Sequence, residues 1–192
     1  MLSLAKQLAH AMPTLRARRV WLLMFGRAMK RFEIDNPIRI AAFFELIAHE
    51  SNECRDLEED LSYPATALMR LWPNRFPTLA EAQVYERNPE KLGNFVYANH
   101  LGNGPPESRD GFRYRGRGLI RITGRACYES ASAALEVDFV SHPELLFEPR
   151  NAALAAAWFW QSRGLNELAD SKAGNDLREF RNFTTQCAPR LS

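Results

Sequence analysis

The sequence predicts a mainly α-helical body with a small β-hairpin or irregular lobe bordering a cleft. Apolar residues recur at helical spacing between legible caps. One stretch alternates as strands do. Two glutamates, Glu50 and Glu59, are followed about fifty residues later by a glycine-jointed arginine segment.

Asp35-Asn36-Pro37 offers an N-cap with proline at the first helical position, and Ile38, Ala41, Phe44, Ile47 and Ala48 then follow at helical spacing, so Glu50 closes a buried helix. Thr78-Leu79-Ala80-Glu81 reads as a capping box opening a short helix. Asn88-Pro89 caps another, which carries Leu92, Phe95, Val96 and Tyr97 and is expected to end at Gly102. Phe112 to Thr123 has the alternation of a strand or hairpin, with Gly116 and Gly118 permitting a tight turn or close backbone approach. Asn151 to Arg163, closed by Gly164, is the expected central helix, with Ala153, Ala157, Trp158 and Trp160 along it. No repeat or low-complexity tract interrupts the pattern.

With 192 residues, 46% hydrophobic and 25% charged, the chain is expected to form a single domain, 1–192, with one good core and a minor lobe. The net charge of +2 is unevenly spread: the first forty residues are basic, residues 45–60 acidic and residues 109–125 arginine-rich. Such a distribution can hold a polar or anionic polymer near the acids. Cys54, Cys127 and Cys187 make neither a complete disulfide framework nor a C-x-x-C pair, which points to synthesis in a reducing compartment. The short apolar run Val20 to Phe25 sits among arginines and reads neither as a secretory signal nor as a membrane span of roughly 20 residues. Cytoplasmic synthesis followed by release or delivery is therefore expected, with no stable membrane insertion.

Two acids beside a cationic wall suggest a saccharide cleft, because breaking a glycosidic bond needs one protonated carboxyl and one ionised carboxylate. Taken singly, Glu50 reads as a solvated helix end, and Glu58-Glu59-Asp60 as a solvated run in which composition does not choose one member. An anion at a helix C-terminus is disfavoured, however, a setting suited to a group that must hold and deliver a proton. His49-Glu50 opens the zinc motif H-E-x-x-H, but Glu53 stands at its fifth position, so no metal is expected. The arginines interleaved with Phe112 and Tyr114 could contact nucleic acid, yet the modest net charge and the folded look of Leu119-Ile120-Arg121-Ile122 speak against that partner. No G-x-S-x-G elbow is present, and the cysteines read as small core residues.

His49-Glu50-Ser51, Glu59-Asp60-Leu61-Ser62-Tyr63, Leu71-Trp72-Pro73-Asn74-Arg75-Phe76, Asn94-Phe95-Val96-Tyr97 and Arg113-Tyr114-Arg115-Gly116-Arg117-Gly118-Leu119-Ile120-Arg121-Ile122-Thr123-Gly124 together resemble the family-19 glycoside hydrolases. The resemblance is strongest to bacteriophage endolysins, with plant-type chitinases more distant, and runs from about residue 3 to about residue 170. It implies a lysozyme-like fold and inverting hydrolysis of β-1,4-linked N-acetylhexosamines without a cofactor. Glu50 matches the general acid, Glu59 the general base and Thr123 the group positioning water. Inversion calls for carboxyls roughly 6.5–9.5 Å apart, leaving room for that water. The implied sugar-binding positions are His49, Tyr63, Asn94, Tyr97, Arg115, Arg117, Arg121 and Tyr128.

Several positions depart from the family pattern. Asn52, Glu53 and Cys54 stand where small glycines are usual, Arg121 replaces a glutamine, and Cys127 replaces an asparagine. The chain ends Cys187-Ala188-Pro189-Arg190-Leu191-Ser192, without the Asn-Gly-Gly segment that usually closes the cleft. Three readings follow: a monomeric peptidoglycan hydrolase serving as a lysis enzyme or antagonistic effector, a chitinase, or a catalytically impaired glycan-binding protein. The compact chain and cationic surface favour the first.

Overall fold

A computed structural model describes residues 3–171, and its regular structure is helical. The terminal segment lacking Asn-Gly-Gly, with Cys187, lies outside the described residues.

The body contains α1 (Leu4–Ala11), α2 (Arg18–Arg31) and α3 (Pro37–Glu50). The Asn36 side chain accepts from the N–H groups of Ile38 at 3.0 Å and Arg39 at 2.9 Å, while Pro37 occupies a position where no N–H is missed. Phe43 and Phe44 of α3 are fully buried, each contributing about 1.5–3 kcal/mol by leaving water. Phe25 of α2 meets both edge-on, and Trp160 packs edge-on to Phe43 at 5.5 Å.

Four short helices follow: α4 (Ala65–Leu71), α5 (Leu79–Gln83), α6 (Pro89–Val96) and α7 (Asp110–Arg113). The first three gather a second hydrophobic cluster around Leu61, Leu68, Phe76, Leu92 and Val96, so the minor lobe is largely helical. Thr78 and Glu81 form the expected capping box, and Asn88 caps α6 by accepting from Lys91 N–H at 3.1 Å. Helix α6 stops at Val96 rather than at Gly102. Asn99 and Leu101 adopt left-handed φ values of 58° and 55°, which a right-handed helix cannot accommodate.

The expected strand over 112–123 is not formed. Phe112 belongs to α7, and the rest contributes two isolated antiparallel bridges, Glu58 with Arg117 and Arg117 with Ile122. Strand alternation would carry Arg117 to solvent, but it is buried and donates to Arg113 C=O at 2.6 Å and Tyr128 Oη at 3.2 Å. Gly118, at φ 78°, then turns the chain before a ladder can extend.

Helices α8 (Arg125–Leu135), α9 (Pro149–Ser162) and α10 (Leu165–Asp170) complete the body. Helix α9 begins two residues before the expected Asn151 and ends before Gly164, which is left-handed at φ 65°. Its buried Ala152, Ala153, Ala155, Ala156 and Ala157 keep its packing surface shallow against α2, α8 and α10. Asn166 joins α10 to the core by accepting from Trp160 Nε1 at 2.8 Å and donating to Phe32 C=O at 3.0 Å.

Asp110 at the start of α7 accepts from Arg125 Nε at 3.0 Å, Arg125 Nη2 at 2.8 Å and Gly104 N–H at 3.0 Å. Those donors hold its carboxyl below the ordinary carboxylate value, the Arg125 hydrogen bonds foremost. A depressed folded value contributes stability above the unfolded pKa of about 3.9 that is lost as pH falls through the folded value. Asp110→Asn is therefore expected to cost about 1–2 kcal/mol at pH 7, discounted for the partly exposed Arg125. Thermal melts should show the deficit shrinking below about pH 4; an unchanged deficit at pH 2 would assign it to packing.

Candidate active site

Glu50 is the last residue of α3, half-buried, and the chain reverses just beyond it. Asn52, Glu53 and Cys54 take consecutive left-handed φ values of 48°, 56° and 63°. Non-glycine residues pay about 1 kcal/mol or more each for that conformation, and here local contacts hold it. Buried Ser51 donates through Oγ to Ile47 C=O at 2.7 Å and accepts from Cys54 N–H at 2.9 Å. The Glu53 carboxylate accepts from both N–H and Oγ1 of Thr14, each at 2.7 Å. This extra acid is thus tied to the connection between α1 and α2. Burial pushes the Cys54 thiol up to about 12, and its Sγ lies 3.9 Å from Met12 Sδ, so it packs as a neutral core group.

The reversed chain brings Glu59 against the arginine-glycine segment. Glu59 N–H donates to Gly116 C=O at 2.8 Å, and Gly116 N–H returns a bond to Glu59 Oε2 at 3.2 Å. Tyr97 Oη lies 2.7 Å and 2.8 Å from the two carboxylate oxygens and donates to them. Burial first, then the Glu59 charge, pushes the Tyr97 phenol upward, so it remains a proton donor. Tyr63 is raised for the same two leading reasons, burial and Glu59.

Gly116 is the joint between the second acid and Thr123. A methyl group at this glycine would stand 3.3 Å from Glu59 Cβ and 3.2 Å from Thr123 Oγ1. A side chain there would require these neighbours to give by a few tenths of an ångström. Thr123 is 4% exposed, and its hydroxyl donates to Arg121 C=O at 2.7 Å. With its single hydrogen so directed, Oγ1 presents lone pairs as acceptors. Arg121, left-handed at φ 57°, also donates through Nε to Glu50 C=O at 3.4 Å, linking the end of α3 to the Thr123 turn.

The three adjacent acids separate in space. Glu58 pairs with Arg115 and with Arg117, the latter at 3.2 Å, whereas Asp60 accepts from Ser62 N–H at 2.8 Å in an exposed local turn. Consecutive residues of extended chain face opposite ways, so Glu58 and Glu59 cannot serve the same side.

The remaining sequence-predicted residues divide. Tyr63, Tyr97 and Arg121 gather electrostatically around Glu59, while His49 is exposed on the last turn of α3. Asn94 accepts from Phe112 N–H at 2.8 Å and lines a separate cavity of about 520 Å³ with Tyr85 and Phe95. Arg115 stacks on Phe112 at 3.9 Å and donates to Phe112 C=O at 2.8 Å. Tyr128 is fully buried, donates to Arg115 C=O at 2.8 Å, and has its phenol pushed up to about 12 by burial. Arg115, Arg117 and Tyr128 thus build the wall from within. Sequence reasoning missed the cavity of about 570 Å³ between Thr123 and α9, reached by Trp158 and Arg163. No motif marks it, because its sides lie far apart in the chain.

This architecture is that of the helical, lysozyme-like glycosidases. A solved bacterial family 19 chitinase, described as differing from plant enzymes, shares the fold with a TM-score of 0.51 and 15% identity, the match covering 98% of this chain and 96% of that one. A glycosyl hydrolase family 19 domain-containing protein of Haemophilus influenzae (strain Rd) is 37% identical over 134 residues, 69% of this chain and 66% of the relative. The acidic endochitinase of Petunia hybrida is 35% identical over 65 residues, 33% of this chain and 22% of its own length. No family model matches the chain. The homology to the Haemophilus protein and the shared fold relate this chain to glycosyl hydrolase family 19.

Proposed function

We propose that this protein hydrolyses β-1,4 bonds between N-acetylhexosamines in peptidoglycan by an inverting acid/base mechanism, acting on the bacterial wall after release or delivery. The observation that carries the mechanism is the Glu59–Gly116–Thr123 contact. Glu50 supplies a proton to the leaving glycosidic oxygen. A water between Glu59 and Thr123 donates one hydrogen to each, leaving a lone pair for the anomeric carbon opposite Glu50. The Tyr97 hydroxyl supports ionised Glu59, and Arg121 ties the acid's helix end to the water-holding turn.

Arg121, where the family usually has glutamine, supports an anionic substrate over a neutral one. Chitin is the second reading, favoured by the names of the petunia and bacterial chitinases. Purified murein and chitin, each incubated with the protein and followed by mass spectrometry of cut ends, separate the readings. Soluble fragments with new reducing ends from murein alone are expected; release from chitin alone would overturn the preference, and binding without cleavage of either would leave a glycan-binding protein.

Thr123 offers a direct test of the water position. Thr123→Val keeps the branched shape and removes the acceptor, so kcat should fall about a hundredfold with KM and melting temperature little changed. Thr123→Ser should retain more turnover than Val. A valine variant as active as the parent would place the water under Glu59 alone.

A further inference from the structure

The cavity of about 570 Å³ beside Thr123 is lined by neither carboxylate, and it runs between Arg121 on one side and Trp158 and Arg163 of the α9 region on the other. Trp158 is half-buried, exposing part of an indole on which a sugar ring could rest. Arg163 is exposed, its guanidinium lying 5.0 Å from the Phe159 ring. Among the described residues neither Arg121 nor Arg163 has an ion-pair partner. Two guanidiniums on one cavity repel each other and favour an anion between them, and their planar forks fit a carboxylate. The cavity at Asn94 differs, since Glu90 and Glu107 line it together with Lys91 and give no single sign.

We propose that the Thr123–Trp158 cavity is the subsite for a carboxylate-bearing amino sugar, with Arg121 and Arg163 holding the acid of its 3-O-lactyl arm and Trp158 carrying the ring. This rests on the amino-sugar hydrolase reading and gives it a specificity device. Chitin repeats a neutral sugar and has no group for the two cations. Murein alternates that sugar with one whose lactyl arm ends in a carboxylate, free or extended by a peptide that carries carboxylates of its own.

The test reads binding rather than turnover. Glu50→Gln protein is titrated calorimetrically with a tetrasaccharide of alternating N-acetylglucosamine and N-acetylmuramic acid, as free acid and as methyl ester. A second pair carries the stem peptide, with its carboxylates free or esterified. Free acid should bind about tenfold tighter than ester, the worth of one charge-assisted hydrogen bond at a partly exposed site. In a Glu50→Gln/Arg163→Gln protein the ratio should fall close to one, and Arg163→Lys should retain part of it because the charge remains without the fork. Preference within the stem-free pair supports the lactyl carboxylate as ligand. Preference confined to the peptide-bearing pair, equal affinities throughout, no binding of any form, or a ratio unaffected by Arg163→Gln would overturn the proposal. Absence of murein cleavage by the unsubstituted protein with the ratio intact would overturn the hydrolase reading alone.

Discussion

Glu50→Gln is expected to lower kcat on a cleavable glycan by on the order of a thousandfold, the range of a lost general acid, while the fold is retained. The amide matches the carboxyl in shape but has no acidic proton to give. Glu50 is half-buried at the end of α3, and Arg121 donates to the Glu50 backbone carbonyl, which the substitution leaves in place. Melting temperature should therefore shift by less than the equivalent of about 0.5 kcal/mol. Because ground-state contacts survive, KM should change far less than kcat. Turbidity loss of murein at near the parent rate would remove Glu50 from the acid role.

The second large effect separates two neighbouring acids by different readouts. Glu59→Ala removes the carboxylate that Tyr97 and Gly116 hold beside the Thr123 turn, and a fall in kcat of on the order of a hundredfold to ten-thousandfold is expected. Glu58→Ala instead unpairs Arg115 and Arg117, whose side chains are largely buried. Its cost should appear as about 1–2 kcal/mol of stability, tempered by the exposure of Glu58, with turnover largely kept when assayed well below the melting temperature. Equal losses of kcat in the two variants, at matched fractions folded, would leave Glu59 without a special role. A Glu58→Ala protein that melts like its parent would show the arginine pairs to be energetically neutral.

Much of the helical framework is legible in single residues and their near neighbours. Asn36-Pro37, Thr78 with Glu81, Asn88-Pro89 and Gly164 act through backbone groups within a few positions, so their consequences can be read from sequence. The helical spacing before Glu50 likewise places that residue at the end of α3. The family resemblance matched Glu50, Glu59 and Thr123 to roles, but local composition left Glu58, Glu59 and Asp60 equivalent. Their separation depends on Arg115, Arg117, Tyr97 and Gly116, between thirty-five and sixty residues away, and therefore on how the chain closes its loops.

The same non-local physics explains the misread segment 112–123. Alternation predicted a strand, yet a strand needs a partner ladder, and burial of Arg117 against Arg113 and Tyr128 displaced it in favour of two isolated bridges. The glycine positions gave the possibility of close approach, but only the folded chain decided that Gly116 would lie between Glu59 and Thr123. The capped starts of α3, α5 and α6 and the chemical inventory were thus determined by the sequence itself, because capping acts within one turn, whereas the end of α6 at Val96 and the start of α9 at Pro149 were not. The aim of each carboxylate, the inward use of three arginine-segment partners and the cavity at Trp158 were decided by tertiary structure, because they depend on contacts whose partners are adjacent only after folding.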